Sequence, residues 1–209
     1  MPSALIYDIS PPLTPSLAVW PGDTPMSREV LCDMKKGANI TLSTLRATAH
    51  FGAHADGPNH YGKDAPGIDQ RALDFYLGRC QVIHVHAARK SRFESAQVFK
   101  PIEAERVLFY TGTFPDPNTF NEDFAALSPT LVDELHRRGV RLIGIDTPSV
   151  DLFDSQDLSA HARFLANDMA ILEGLVLNDV PEGIYELIAL PLKLMGFDAS
   201  PVRAVLRTI

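Results

Sequence analysis

The chain has 209 residues, of which 45% are apolar and 22% charged, with a net charge of -7. That length suits one domain, residues 1–209, with a substantial core, and the balance excludes a disordered chain. The acidity, with no basic stripe anywhere, argues against nucleic acid as a partner, because such binding neutralises phosphates with clustered Lys and Arg.

The N-terminus carries no positive segment followed by an apolar run, and no stretch reaches about twenty apolar residues. A soluble, cytoplasmic protein without a membrane partner is expected. Cys32 and Cys80 are too few for a disulfide framework and are expected to be buried and reduced. Residues 4–9 read as a first strand, and the proline-rich run from Pro11 to Pro25 as a long connection. That run holds the only tryptophan, Trp20, in the turn Trp20-Pro21-Gly22-Asp23. By residue type alone Trp20 reads as a core plug ahead of a flat face for an aromatic substrate.

Residues 28–34 and 39–49 read as two strands, the second running directly into the stretch from His50 to His60. Asp69 is expected to cap a helical turn over 69–76. Residues 80–86 read as a strand with His84 and His86 on one face, either adding to a metal site or satisfied by ordinary hydrogen bonds. Residues 106–111 form an apolar strand, and a helix over 129–139 has Ser128 as cap, Pro129 at its first position and Gly139 at its end. Residues 140–146 return as a strand, which predicts a strand-helix-strand unit with a parallel pair. In the turn that follows, Asp146 and Asp151 either stand behind a site or cap turns. Ser159 is expected to cap a short helix over 160–166 that holds His161. In the apolar run from Met169, Glu173 is the odd residue: it either faces outward or is buried against a cation. Residues 184–194 and 202–208 read as the last strands.

The chemistry concentrates in His50-Phe-Gly-Ala-His54-Ala-Asp56-Gly-Pro-Asn-His60. Imidazole nitrogen and carboxylate oxygen suit zinc, manganese or iron, and a bridging carboxylate can hold two ions side by side. Gly52, Gly57 and Pro58 rule out a regular helix and leave a strand end followed by a tight turn. That excludes the His-Glu-x-x-His helix of zinc proteases. With His161 and Glu173 added, the donors outnumber those of one closed tetrahedral site. Two ions, or one ion with an open position, are implied.

The stretch resembles the signature His-x-Gly-[Thr/Ala]-His-x-Asp-x-Pro-x-His of the metal-dependent cyclase superfamily, and its Ala53 variant is similar to the bacterial kynurenine formamidases (arylformamidases). Val19-Trp-Pro-Gly-Asp23, Ile145-Asp-Thr-Pro-Ser-Val-Asp151, Ala160-His161, Ile171-Leu-Glu173-Gly-Leu and Tyr185-Glu-Leu-Ile-Ala-Leu-Pro-Leu extend the resemblance over most of the chain. It implies a compact α/β domain with a mixed, barrel-like β-sheet and peripheral helices, in a homodimer. It implies two Zn2+ per subunit, with Mn2+ or another divalent ion as a substitute: His50, His54 and Asp56 hold one ion, Asp56 and His161 the second, and Glu173 contributes to both. His60 is implied as the proton donor and acceptor, and Trp20 as a surface against the substrate. The implied reaction is hydrolysis of N-formyl-L-kynurenine to L-kynurenine and formate by metal-activated water. A sister hydrolase opening a cyclic amide such as isatin, or a module whose metal only stabilises the fold, are the alternatives. A serine hydrolase lacks its Gly-x-Ser-x-Gly elbow here.

Overall fold

Strands β1 (Ile6–Asp8), β2 (Ser27–Cys32), β3 (Leu42–Arg46), β4 (His54–Asp56), β5 (Leu77–His84), β6 (Arg92–Phe93), β7 (Arg106–Tyr110) and β8 (Ala126–Leu127) precede helix α1 (Pro129–Arg137). There follow β9 (Leu142–Ile145), helix α2 (Ser159–Ala166), β10 (Ala170–Glu173), β11 (Gly183–Ile188), β12 (Ala199–Pro201) and β13 (Val205–Thr208). This computed structural model describes residues 4–209; Met1 to Ser3, where the N-terminal segment read for a leader begins, lie outside the described residues. Among the described residues no helix is long and apolar enough to cross a membrane.

Nine strands form one mixed sheet in the order β1-β13-β11-β5-β7-β9-β10-β4-β12, curled into a half-barrel. The expected strand-helix-strand unit is β7-α1-β9, whose strands pair in parallel. Ser128 caps α1 by accepting from Leu131 N, Pro129 opens the helix, and Gly139 leaves it with φ 88. Period-two alternation then splits the core between the two faces. Leu108, Leu142 and Leu172 pack on one face, while Val107, Phe109, Ile143, Ile145 and Ile171 meet Leu131, Val132, Leu135 and Phe164 of the helices on the other.

Several boundaries move. The strand expected over 39–49 is confined to β3, which pairs with β2 as a separate exposed hairpin, so the histidine stretch begins in a bend and β4 is a strand of its own. The helix expected over 69–76 is two short 3-10 turns, Ile68–Gln70 and Leu73–Phe75. Asp69 does not cap it: its carboxylate accepts from Gly196 N, and Ala72, extended at ψ 134, breaks the run. Strand β11 stops at Ile188, shortly before Pro191, which has no N–H for a ladder, and the last strand starts only at Val205. Cys80 is buried as expected, whereas Cys32 on the hairpin is half-buried.

Candidate metal centre

Sheet register assembles the site. Strand β4 lies between β10 and β12, antiparallel to both, with His54 opposite Glu173 and Asp56 opposite Ala199. Ala55 and Leu172 point into one core cluster, so His54, Asp56 and Glu173 share the opposite face, the one against which α2 packs. Helix α2 brings His161 to them. Asp56, His54, His161 and Glu173 are all buried, at 1%, 3%, 2% and 3% exposure. The outward-facing reading of Glu173 is thereby excluded.

The donor atoms approach one another without bonding. His50 Nδ1 and His54 Nε2 lie 3.2 and 3.5 Å from Asp56 Oδ1, and His54 Nε2 lies 3.3 Å from Glu173 Oε2. On the other side, His161 Nε2 is 3.5 Å from Asp56 Oδ2 and 3.7 Å from Glu173 Oε1. Asp56 thus turns one oxygen to His50 and His54 and Glu173 one to His54, while the other oxygen of each faces His161. Among the described residues, His54 Nε2, His161 Nε2 and both Asp56 oxygens are buried without a hydrogen-bond partner. Four such orphans in one place are costly unless something binds them. Ligands held about 2.0–2.1 Å from a tetrahedral ion stand roughly 3.3 Å apart, which is the spacing seen here. The residues fit a divalent cation.

The outward nitrogens are fixed as such a ligand set requires. His54 Nδ1 donates to Gly52 O at 2.9 Å and His161 Nδ1 to Asp151 Oδ2 at 2.7 Å, which leaves each Nε2 as the lone-pair nitrogen when the ring is neutral. Asp151 also accepts from Ala160 N, His161 N and Arg92 Nη1. It is therefore the cap of α2. Ser159 is not, because Leu158 takes the cap position in a left-handed conformation and no side chain of its own closes the turn. Asp146, the other aspartate of that turn, touches none of the donors; it accepts from Thr111 N and Gly112 N and ties the ends of β7 and β9 together.

Charge tells the same story. Burial opposes a proton on His50 and on His161, yet neighbouring carboxylates prevail: Asp56 lifts His50 to about 9, and Asp151 with Asp56 lifts His161 to about 10. Burial likewise opposes the Asp56 charge, but His161 and His50 hold it well below the carboxylate range. The cluster demands positive charge at its centre. His60 differs, since partial burial lowers it, and its side chain is 35% exposed against 4% for His54. Its donor atom nevertheless falls within 4.8 Å of those of Asp56 and His161.

The cluster forms the floor of a cavity of about 560 Å³, reached by His50, His54, His60 and Glu173 and walled by Trp20, Tyr110, Phe114, Phe120 and Leu158. That size is usual for a small-molecule site. Trp20 does not plug the core; it is 36% exposed, with its ring 5.0 Å from Phe153 and 5.5 Å from Phe120. His84 and His86 stay outside: His84 Nε2 pairs with Val180 O, and His86 is exposed. Asp198, unnoticed in the sequence, lies with Oδ2 3.2 Å from His50 Nε2.

The sequence matches the family described as "Putative cyclase" over residues 7–152. This chain belongs to the Cyclase family. The family match ends before His161, but the likeness of this chain to solved structures runs across the whole length. It resembles a structure described as "Potential Metal-Dependent Hydrolase With Cyclase Activity" at 24% identity and a TM-score of 0.86, over 99% of both chains. A "predicted metal-dependent hydrolase" from Bacillus stearothermophilus is 25% identical, with a TM-score of 0.82 over 98% of both chains. Isatin hydrolase A from Labrenzia aggregata is 23% identical, with a TM-score of 0.80 over 98% of this chain and 94% of that chain.

Proposed function

We propose that this protein is a two-zinc amidohydrolase that cleaves N-formyl-L-kynurenine to L-kynurenine and formate. The observation that carries the reading is the division of two carboxylates at the floor of an aromatic-walled cavity: Asp56 turns one oxygen to His50 and His54, Glu173 turns one to His54, and each turns the other to His161. His50, His54, Asp56 and Glu173 would hold one ion, and Asp56, His161 and Glu173 the other. Bound there, divalent ions supply Lewis acidity, which polarises a carbonyl and makes water nucleophilic near neutral pH. The protein's side chains do the rest. Trp20, packed against Phe153 and beside the wall residue Phe120, offers a flat face to the aryl ring and orients the formamide toward the floor. His60 is the accessible imidazole there, and it takes a proton from the attacking water and passes it to the departing aniline nitrogen.

Opening of a cyclic amide is the second reading, favoured by the isatin hydrolases among the similar structures. Purified protein is incubated with N-formylkynurenine and with isatin, before and after chelation and again after zinc is restored. Formate release that vanishes with chelation and returns with zinc is the expected result. Faster turnover of isatin transfers the assignment to ring opening, and activity indifferent to chelation overturns both.

A further inference from the structure

Each histidine set against the buried carboxylates is held from behind. Gly52 O accepts from His54 Nδ1 and Asp151 from His161 Nδ1. For His50 the acceptor is Asp198, whose Oδ2 stands 3.2 Å from Nε2 while Nδ1 looks inward at Asp56. Asp198 differs from the other two acceptors. Its side chain is 51% exposed, and the same oxygen lies 4.0 Å from His60 Nδ1. The donor atoms of His50, His60 and Asp198 all fall within 4.8 Å of one another.

The position is built by the backbone. Asp198 immediately precedes β12, whose pairing with β4 sets Ala199 opposite Asp56, and Gly57 N donates to Asp198 O at 2.7 Å. A Cβ on Gly57 would stand 3.1 Å from that carbonyl and 2.9 Å from Ile68 N, so the close approach depends on glycine. The carboxylate is therefore delivered to the signature by main-chain bonds rather than by a flexible excursion.

We infer that Asp198 is a positioning residue: it fixes the His50 tautomer that presents Nδ1 to the metal. This rests on His50 being a ligand, not on the choice of substrate. Outer partners of ligand histidines set ring orientation and basicity, and their removal commonly costs about 10–100-fold in metal affinity.

The test is zinc affinity, measured by competition with a chromophoric chelator, for the wild-type chain, Asp198→Asn and Asp198→Glu. Asp198→Asn keeps the size and the main-chain bonds, and it is expected to bind the weaker zinc equivalent about 10–100-fold less tightly with stoichiometry retained at saturation. Asp198→Glu restores a carboxylate and recovers at least part of the loss. Circular dichroism and the melting temperature in chelator stay at wild-type values for both, because the side chain is half in solvent. Wild-type affinity in Asp198→Asn, equal weakness of the Asn and Glu variants, or a melting temperature that falls with the affinity each overturns the inference. Loss of a whole zinc equivalent at saturation overturns it too, by making Asp198 a ligand. None of these readouts depends on formate release, so failure of the substrate assignment leaves the inference standing.

Discussion

Replacing Gly174 by alanine should loosen the candidate metal centre without altering any side chain that faces it. Gly174 follows Glu173 with φ 64, and a Cβ there would stand 2.4 Å from Gly52 O and 3.0 Å from Gly52 C. Gly52 O is the acceptor that fixes His54 Nδ1. A left-handed alanine costs about 1–2 kcal/mol, and forcing a methyl against backbone in a packed region about 1–3 kcal/mol. The centre of that sum, about 3.5 kcal/mol, corresponds in a chain of this size to a fall of about 7–14 °C in melting temperature. Gly139 supplies the control. It also has a positive φ, 88, but nothing lies within 4 Å of its missing Cβ, so Gly139→Ala carries the strain alone. Melting is followed by circular dichroism in chelator, and zinc affinity by competition. The expected pattern is a large thermal loss with weakened zinc in Gly174→Ala, against about 1–2 kcal/mol and unchanged zinc in Gly139→Ala. Equal thermal losses in the two variants, or intact zinc affinity in Gly174→Ala, would refute the argument from the Gly52 contact.

His60→Ala is expected to keep its full zinc content and to lose at least about 100-fold in turnover, measured by metal analysis beside steady-state kinetics; loss of one ion would make His60 a ligand. Asp151→Asn removes the carboxylate that holds His161, caps α2 and neutralises Arg92, so about 10–100-fold weaker zinc and about 3 kcal/mol lower stability are expected by competition and urea melts. Proton linkage gives two slopes of opposite sign. With His50 raised from 6.5 to about 9 and His161 to about 10, the chelated protein carries stabilising protons that are fully present below 6.5 and lost as pH rises through those values. Its urea stability should therefore fall with rising pH across that window, while zinc affinity rises because the ion must displace the same protons. Parallel slopes would show that neither histidine titrates as described.

What the sequence could reveal depended on how local the cause was. The signature His50 to His60 carries its chemistry in consecutive residues, and Ser128, Pro129 and Gly139 delimit α1 by short-range rules. His161 and Glu173 count as possible donors by residue type, but their distance along the chain leaves their roles to the resemblance. Asp198 was invisible, because its partner is 148 residues away and only the β12-β4 register brings them together. The 69–76 helix failed for a similar reason: Asp69 spends its carboxylate on Gly196, 127 residues on. Trp20 was misjudged because an aromatic on a proline-rich loop packs equally well in a core or on a cavity wall, and Phe120 and Phe153 decide between them.

The insertion of β4 between β10 and β12 sets an order of assembly. Its neighbours on both sides belong to the final forty residues, so a nascent chain emerging from the ribosome carries its histidine signature long before it can seat it. Until residues 199–201 arrive, the segment has one flank open and half its backbone groups unpaired. Seating of the signature therefore waits on β12, and deleting residues 199–201, far from the signature in sequence, should weaken zinc binding.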